Sequence, residues 1–160
     1  MPTLDDFRWD GHDWETQVDL PAWRDLFREP RARVVFAPSE SEDSPPNQGD
    51  LLLVQWLVDH QESLRESLMT GLLAEYPNRQ ALYDYDGSEK VELMPDVTTA
   101  EELRPLLRLN TLYLHSPLAD GTPVLGFLFR CAWDEEHGLG IVMNGHRVVA
   151  VCDGDRAFSP

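Results

Sequence analysis

The dipeptide Asn144-Gly145 lies between two apolar runs, "GLGIVM" and "HRVVAVC", and no other short stretch restricts the fold as tightly. Asn-Gly suits a type I′ turn, which takes positive φ at both central residues and matches the twist of an antiparallel pair. A two-residue loop here predicts Met143 opposite His146, Ile141 opposite Val148 and Leu139 opposite Ala150. Continued outward, the same register sets His137 against Cys152 and Glu136 against Asp153, with opposed Cα atoms ~4.5–5.5 Å apart. "LNTLYLHS" and "PVLGFLFRCAW" precede this hairpin as two more strand candidates, so the C-terminal third reads as a four-stranded meander. Asp134, Glu135, Glu136 and His137 then form the polar tip of the middle hairpin.

The rest of the chain frames that meander. "FRWDGHDWETQVDL" predicts short strands around Asp10-Gly11, "PAWRDLF" a turn or short strand, and "RARVVFAP" a further strand ended by Pro38. "SESEDSPPNQGD" is an exposed acidic loop. From about Gly49 to Tyr76 the pattern changes: Leu53, Leu57, Leu64, Leu68 and Leu72 fall on one helical face, with Asn47 as N-cap and Pro77 as the stop. "NRQALYDYDGSEKVELMP" predicts a second, shorter helix or an ordered loop. Thr98 and Thr99 each precede a Glu by three residues, a doubled capping-box pattern, and Pro105 holds that helix to one or two turns. The expected fold is therefore α+β, one domain over residues 1–160. N-terminal strands and the C-terminal meander form an antiparallel sheet, packed against a long central helix and one or two short ones.

Charge narrows the function classes. The chain carries 29 acidic and 13 basic residues, a net −16. Such a surface repels phosphate backbones and anionic lipid, which argues against nucleic-acid and membrane partners. It favours a basic protein partner. No apolar run reaches the ~18–20 residues that cross a bilayer. The acidic start "MPTLDDFRWD" has no apolar core of a signal peptide. Two cysteines, Cys131 and Cys152, make no disulfide framework, and a reducing cytoplasm is the expected compartment. In the register above they also lie too far apart to bond, with Cys131 beside Gly140 and Val149.

Asp134, Glu135, Glu136, His137 and Asp153 are the candidate binding residues. Carboxylates there would suit Ca²⁺ or Mg²⁺, and His137 with Cys152 would suit Zn²⁺, but neighbours in a turn diverge where a metal wants converging ligands. "EEHGLG" lacks the second His of a zinc protease helix, and "DYDGSE" (Asp84–Glu89) lacks the spacing of a Ca²⁺ loop. No metal or cofactor is expected. A Cys152–His137 nucleophile is opposed by the surrounding carboxylates, which raise a thiol's pKa. Trp133, Gly138, Gly140, Asn144 and Gly145 read as structural hairpin residues. Trp9, Trp14 and Trp23 read as core aromatics ahead of a carbohydrate platform. Arg24, Arg28, Arg31 and Arg33, interleaved with Asp25 and Glu29, read as a self-paired face, with a carboxylate- or phosphate-binding patch as the alternative.

Trp133, Asp134, Glu136, His137, Gly138 and Gly140 spell W-D-x-E-H-G-x-G. With "WETQVDLPAW", "YPNRQALYDYD", "MPDVTTAEELRPLLRLNTLYLHS" and the closing "DGDRAF", the chain resembles an uncharacterised bacterial domain family whose members end in this hairpin. Small acidic bacterial domains of this kind look like immunity or accessory proteins of contact-dependent toxin systems. The resemblance implies a non-enzymatic domain that binds a basic toxin or effector. The alternative is a metal-dependent or acid–base hydrolase using Asp134, Glu136 and His137.

Overall fold

The computed structural model describes residues 1–27, 29–38 and 41–160. Alternating apolar positions place seven strands in one sheet whose spatial order follows the chain: β1 (Arg8–Trp9), β2 (Trp14–Val18), β3 (Ala32–Ala37), β4 (Leu107–His115), β5 (Val124–Cys131), β6 (Asp134–Asn144) and β7 (Arg147–Asp153). Neighbours are antiparallel except β3 and β4, which run parallel. A parallel join needs a long crossover. Residues 38–106 supply it, and among the described residues they hold every α-helix except the last. The expected α+β architecture, with N-terminal strands beside a C-terminal meander, is the one observed. Arg28, Ser39 and Glu40 lie outside the described residues, and with them the expectations placed on Arg28 and on the start of the acidic loop.

The crossover is built from α1 (Gln48–Asp59), α2 (Gln61–Tyr83), α3 (Gly87–Leu93) and α4 (Ala100–Leu103). Asn47 caps α1, accepting the Gly49 N–H at 2.7 Å, and Asp50 returns the bond to the Asn47 N–H. Leu57, Leu64, Leu68 and Leu72 are fully buried, as their spacing predicts, while Leu53 is half-buried. At His60 the expected single helix breaks, with φ −109° and ψ 9°. There the His60 ring nitrogen Nδ1 meets the Trp56 carbonyl at 2.8 Å, competing with the helical ladder.

Pro77 does not stop α2, which continues to Tyr83. A mid-helix proline costs about 3 kcal/mol. Contacts on both sides of it offset that cost: Tyr76 O–H donates to the Pro95 carbonyl, Gln80 Nε2 to the Met94 carbonyl, and Tyr83 O–H to Asp134. The helix ends instead at Asp84, in the left-handed conformation at φ 50°. Thr99 caps α4 through Glu102; the second expected box does not form, because Glu102 also takes the Thr98 N–H at 2.7 Å.

The meander forms, but its register differs from the expected one. Asn144 pairs with Arg147, so Gly145 and His146 make the turn and Met143 faces Val148. Only Gly145 has positive φ (55°), the pattern of a type II′ turn, not type I′. A bulge then follows in β7, so Cys152 lies opposite Gly140 and Asp153 opposite Leu139. His137 and Glu136 therefore do not pair with Cys152 and Asp153. The β5–β6 turn is Ala132-Trp133, and Cys131 lies opposite Asp134, not beside Gly140. Both cysteines are free.

Core aromatics fix the layers. Trp23 is fully buried, stacks on Phe127 at 5.2 Å and donates its indole N–H to the Gln61 carbonyl at 2.8 Å. Trp14 donates to the Ser41 carbonyl, and Trp9 lies against it. Of the three tryptophans expected in the core only Trp23 is buried there; Trp14 is half-buried at its edge and Trp9 is half-buried outside it. A final turn, α5 (Asp155–Phe158), lies on the sheet, where the buried His115 places Nε2 at 2.8 Å from the Ala157 carbonyl and Nδ1 at 3.0 Å from that of Ala37. Burial pushes His115 down in pKa, against the pull of both carbonyls.

Candidate functional site

Between Phe129–Leu139 and Cys131–Asp134 the β5–β6 ladder loses its register. Glu135, Glu136, His137 and Gly138 bulge out opposite the single residue Arg130. The expected hairpin tip is thus a wide bulge on the flank of a strand pair. Gly138 makes it possible: its φ is 69°, and a Cβ there would lie 2.5 Å from the Phe129 carbonyl oxygen. Gly140, the next glycine, sits under the C-terminal turn.

Asp134 organises the bulge. Its Oδ1 accepts the His137 backbone N–H at 2.9 Å and lies 3.1 Å from the His137 ring Nδ1; its Oδ2 accepts the Tyr83 O–H at 2.8 Å. Burial pushes the Asp134 carboxyl up, but the bonds from His137 and Tyr83 outweigh it and hold the group below its ordinary value. His137 moves up, chiefly through its bond to Asp134, so the pair favours its charged form. Tyr83 is pushed up by burial and by Asp134.

Behind Tyr83, α2 presents Arg79 one turn earlier. Its guanidinium donates to Asp153 at 3.0 Å and to the Tyr83 oxygen at 3.4 Å, and lies over the Tyr83 ring. The Arg79 side chain is 7% exposed, against 67% for Asp153. Tyr83 stacks on Tyr85, whose O–H holds the Trp133 carbonyl at 2.9 Å, and Trp133 packs edge-on against Tyr76. Trp133 is buried in the core.

Of the five expected binding residues, three join this network: Asp134, His137 and Asp153. Glu135 and Glu136 point into solvent. Among the described residues, no three His, Cys, Asp or Glu side chains converge as a metal site would require. Burial pushes Cys131 up to about 12 and Cys152 up as well, and neither contacts His137. Asp84 and Asp86 of "DYDGSE" are used at helix ends, as the last cap of α2 and the first of α3. Arg79, Tyr83 and Tyr85 were not expected in a site. The expected helix stop at Pro77 hid that Arg79 and Tyr83 share a helical face.

The chain belongs to the family described as Domain of unknown function (DUF6985), whose model matches residues 4–158. No curated protein and no solved structure matches it. No helix among the described residues is long and apolar enough to cross a membrane.

Proposed function

We propose that this chain acts by binding a basic protein partner, in the manner of an immunity or accessory protein that neutralises a bacterial toxin or effector. The observation that carries the reading is the net charge of −16, displayed on exposed carboxylates of α2, α3 and the bulge: Glu62, Glu66, Glu89, Glu92, Glu135 and Glu136. A second support is structural. Tyr83 donates to Asp134 and accepts from Arg79, which also donates to Asp153, and these interlocked bonds suit a rigid presenting surface. The field of the carboxylates would steer a cationic surface inward, and docking would cover the partner's own site. The cytoplasm is the compartment that fits, where the free thiols Cys131 and Cys152 stay reduced.

The test is capture of partners from the native host, followed by association kinetics at rising salt. The on-rate should fall steeply as the Debye length shrinks from ~10 Å at 0.1 M to ~3 Å at 1 M, with a smaller change in off-rate. Reversing Glu135 and Glu136 to Lys should slow association more than neutral Ala changes do. A salt-indifferent or acidic partner overturns the reading.

One observation favours acid–base hydrolysis as the second reading. Asp134 orients the His137 ring through Nδ1, leaving Nε2 toward solvent in the manner of a general-base dyad. A substrate screen tests it. Turnover abolished by His137→Ala, with folding intact, would establish it.

A further inference from the structure

One end of the sheet gathers positive charge in a chain where acids outnumber bases by more than two to one. Arg108 in β4 and Arg130 in β5 are direct cross-strand partners. Their sequence neighbours Leu107, Leu109, Phe129 and Cys131 are buried in the core, so both guanidiniums point to the opposite face. Like charges directly opposed on neighbouring strands are destabilising. Six bases of this chain avoid such exposure: Arg24, Arg33, Arg65, Arg79, Lys90 and Arg104 each hold a carboxylate within 4.0 Å. Arg108 and Arg130 make no such pair among the described residues.

The two open into a groove of about 350 Å³, to which Arg31 and Arg33 also contribute. Asn110, the bulged residue of β4, adds an amide, and Phe27 an aromatic wall. Glu29 also lines the groove but, among the described residues, forms no ion pair with these arginines. That volume falls within the ~300–1,000 Å³ of small-molecule sites. The planar fork of arginine donates two parallel N–H bonds to an oxyanion, and two opposed forks can share a doubly charged one.

We propose that this groove binds the phosphoryl group of a small phosphate ester, held between Arg108 and Arg130, with Phe27 against the ester's carbon part. The bound dianion turns the Arg108–Arg130 repulsion into attraction. Arg130 is also the residue opposite the bulge at residues 135–138, so the groove adjoins that part of β6, but it shares no residue with the Asp134 network and does not depend on the protein-binding reading, because its probes are small anions.

Inorganic phosphate and phenyl phosphate are titrated into the protein in chloride buffer at fixed ionic strength, with calorimetry and thermal unfolding as readouts. Both should bind saturably and raise the melting temperature by mass action, phenyl phosphate the more tightly. Arg130→Gln and Arg108→Gln should each weaken binding about tenfold or more, as expected for losing a charge-assisted bond. Arg24→Gln and Arg147→Gln, outside the groove, should leave it unchanged. In chloride alone, Arg130→Gln should melt no lower than the parent, since it removes a repulsion; this also shows that the variant folds. Absence of saturable binding of either probe, or equal binding by the Arg108→Gln/Arg130→Gln double variant, overturns the proposal.

Discussion

The bulge at Asp134–His137 and the groove at Arg108–Arg130 flank the same strand, β5, yet they handle charge in opposite ways. In the bulge Asp134 holds Tyr83 and His137, and beside it Asp153 holds Arg79, while Glu135 and Glu136 face solvent. In the groove, Arg108 and Arg130 face each other across a strand pair and neither holds a carboxylate among the described residues. A dense cluster of chemical residues in the sequence has closed on itself, whereas two arginines separated by a turn have been left open. Crowding of functional groups thus says less about a site than whether their bonding capacity is already used.

The largest expected effect tests the closed side. Asp134→Ala removes the acceptor for Tyr83 and for the His137 backbone, and should cost about 3 kcal/mol in urea unfolding, in line with buried hydrogen bonds to a charged group. If it costs as little as a surface change, the network is ornamental and the contrast collapses.

Gly145→Val should come next. Positive φ at this position opposes a β-branched residue, and strain of this kind costs of order 1–3 kcal/mol. The measurement is the same unfolding midpoint, and it separates turn strain from the polar network.

A smaller effect is electrostatic. Asp134 has a depressed pKa, so its contribution is present above its unfolded value near 3.8 and is lost as pH falls through the lower folded value. His137 has a raised pKa, so its contribution is present below its unfolded value near 6.5 and fades as pH rises through the higher folded one. The stability advantage of the parent over Asp134→Asn should therefore be widest between those limits and shrink on both sides. A gap indifferent to pH would mean the pair is not ionised. Smallest of all, Glu135→Ala should change stability by no more than roughly 0.5 kcal/mol, since that side chain meets only solvent.

Much of this architecture was legible in the sequence. Asn47 and Thr99 announce helix starts through purely local bonds, and the leucine spacing declares the buried face of α1 and α2. Register was not legible, because it accumulates. One residue of displacement at the Gly145 turn and one bulge in β7 were enough to part His137 from Cys152. The network was hidden for a related reason: Tyr83 and Arg79 meet Asp134 and Asp153 across 51 and 74 residues of chain, and past a proline that local rules read as a terminus. Arg108 and Arg130 look like ordinary surface positions until the β4–β5 pairing sets them face to face.

The single parallel seam between β3 and β4 has a consequence in time. The meander from β4 to β7 closes through short turns, so its contacts are local and quick to form. The seam can close only after the whole stretch 38–106 has been drawn into a loop, whose ordering must precede any reward from pairing. The molecule is thus expected to assemble from its C-terminal half, with β1 to β3 zipping on last. Amides of β2 and β3 should gain hydrogen-exchange protection later during refolding than those of β5 and β6. Partial unfolding should begin by peeling the first three strands away at that seam.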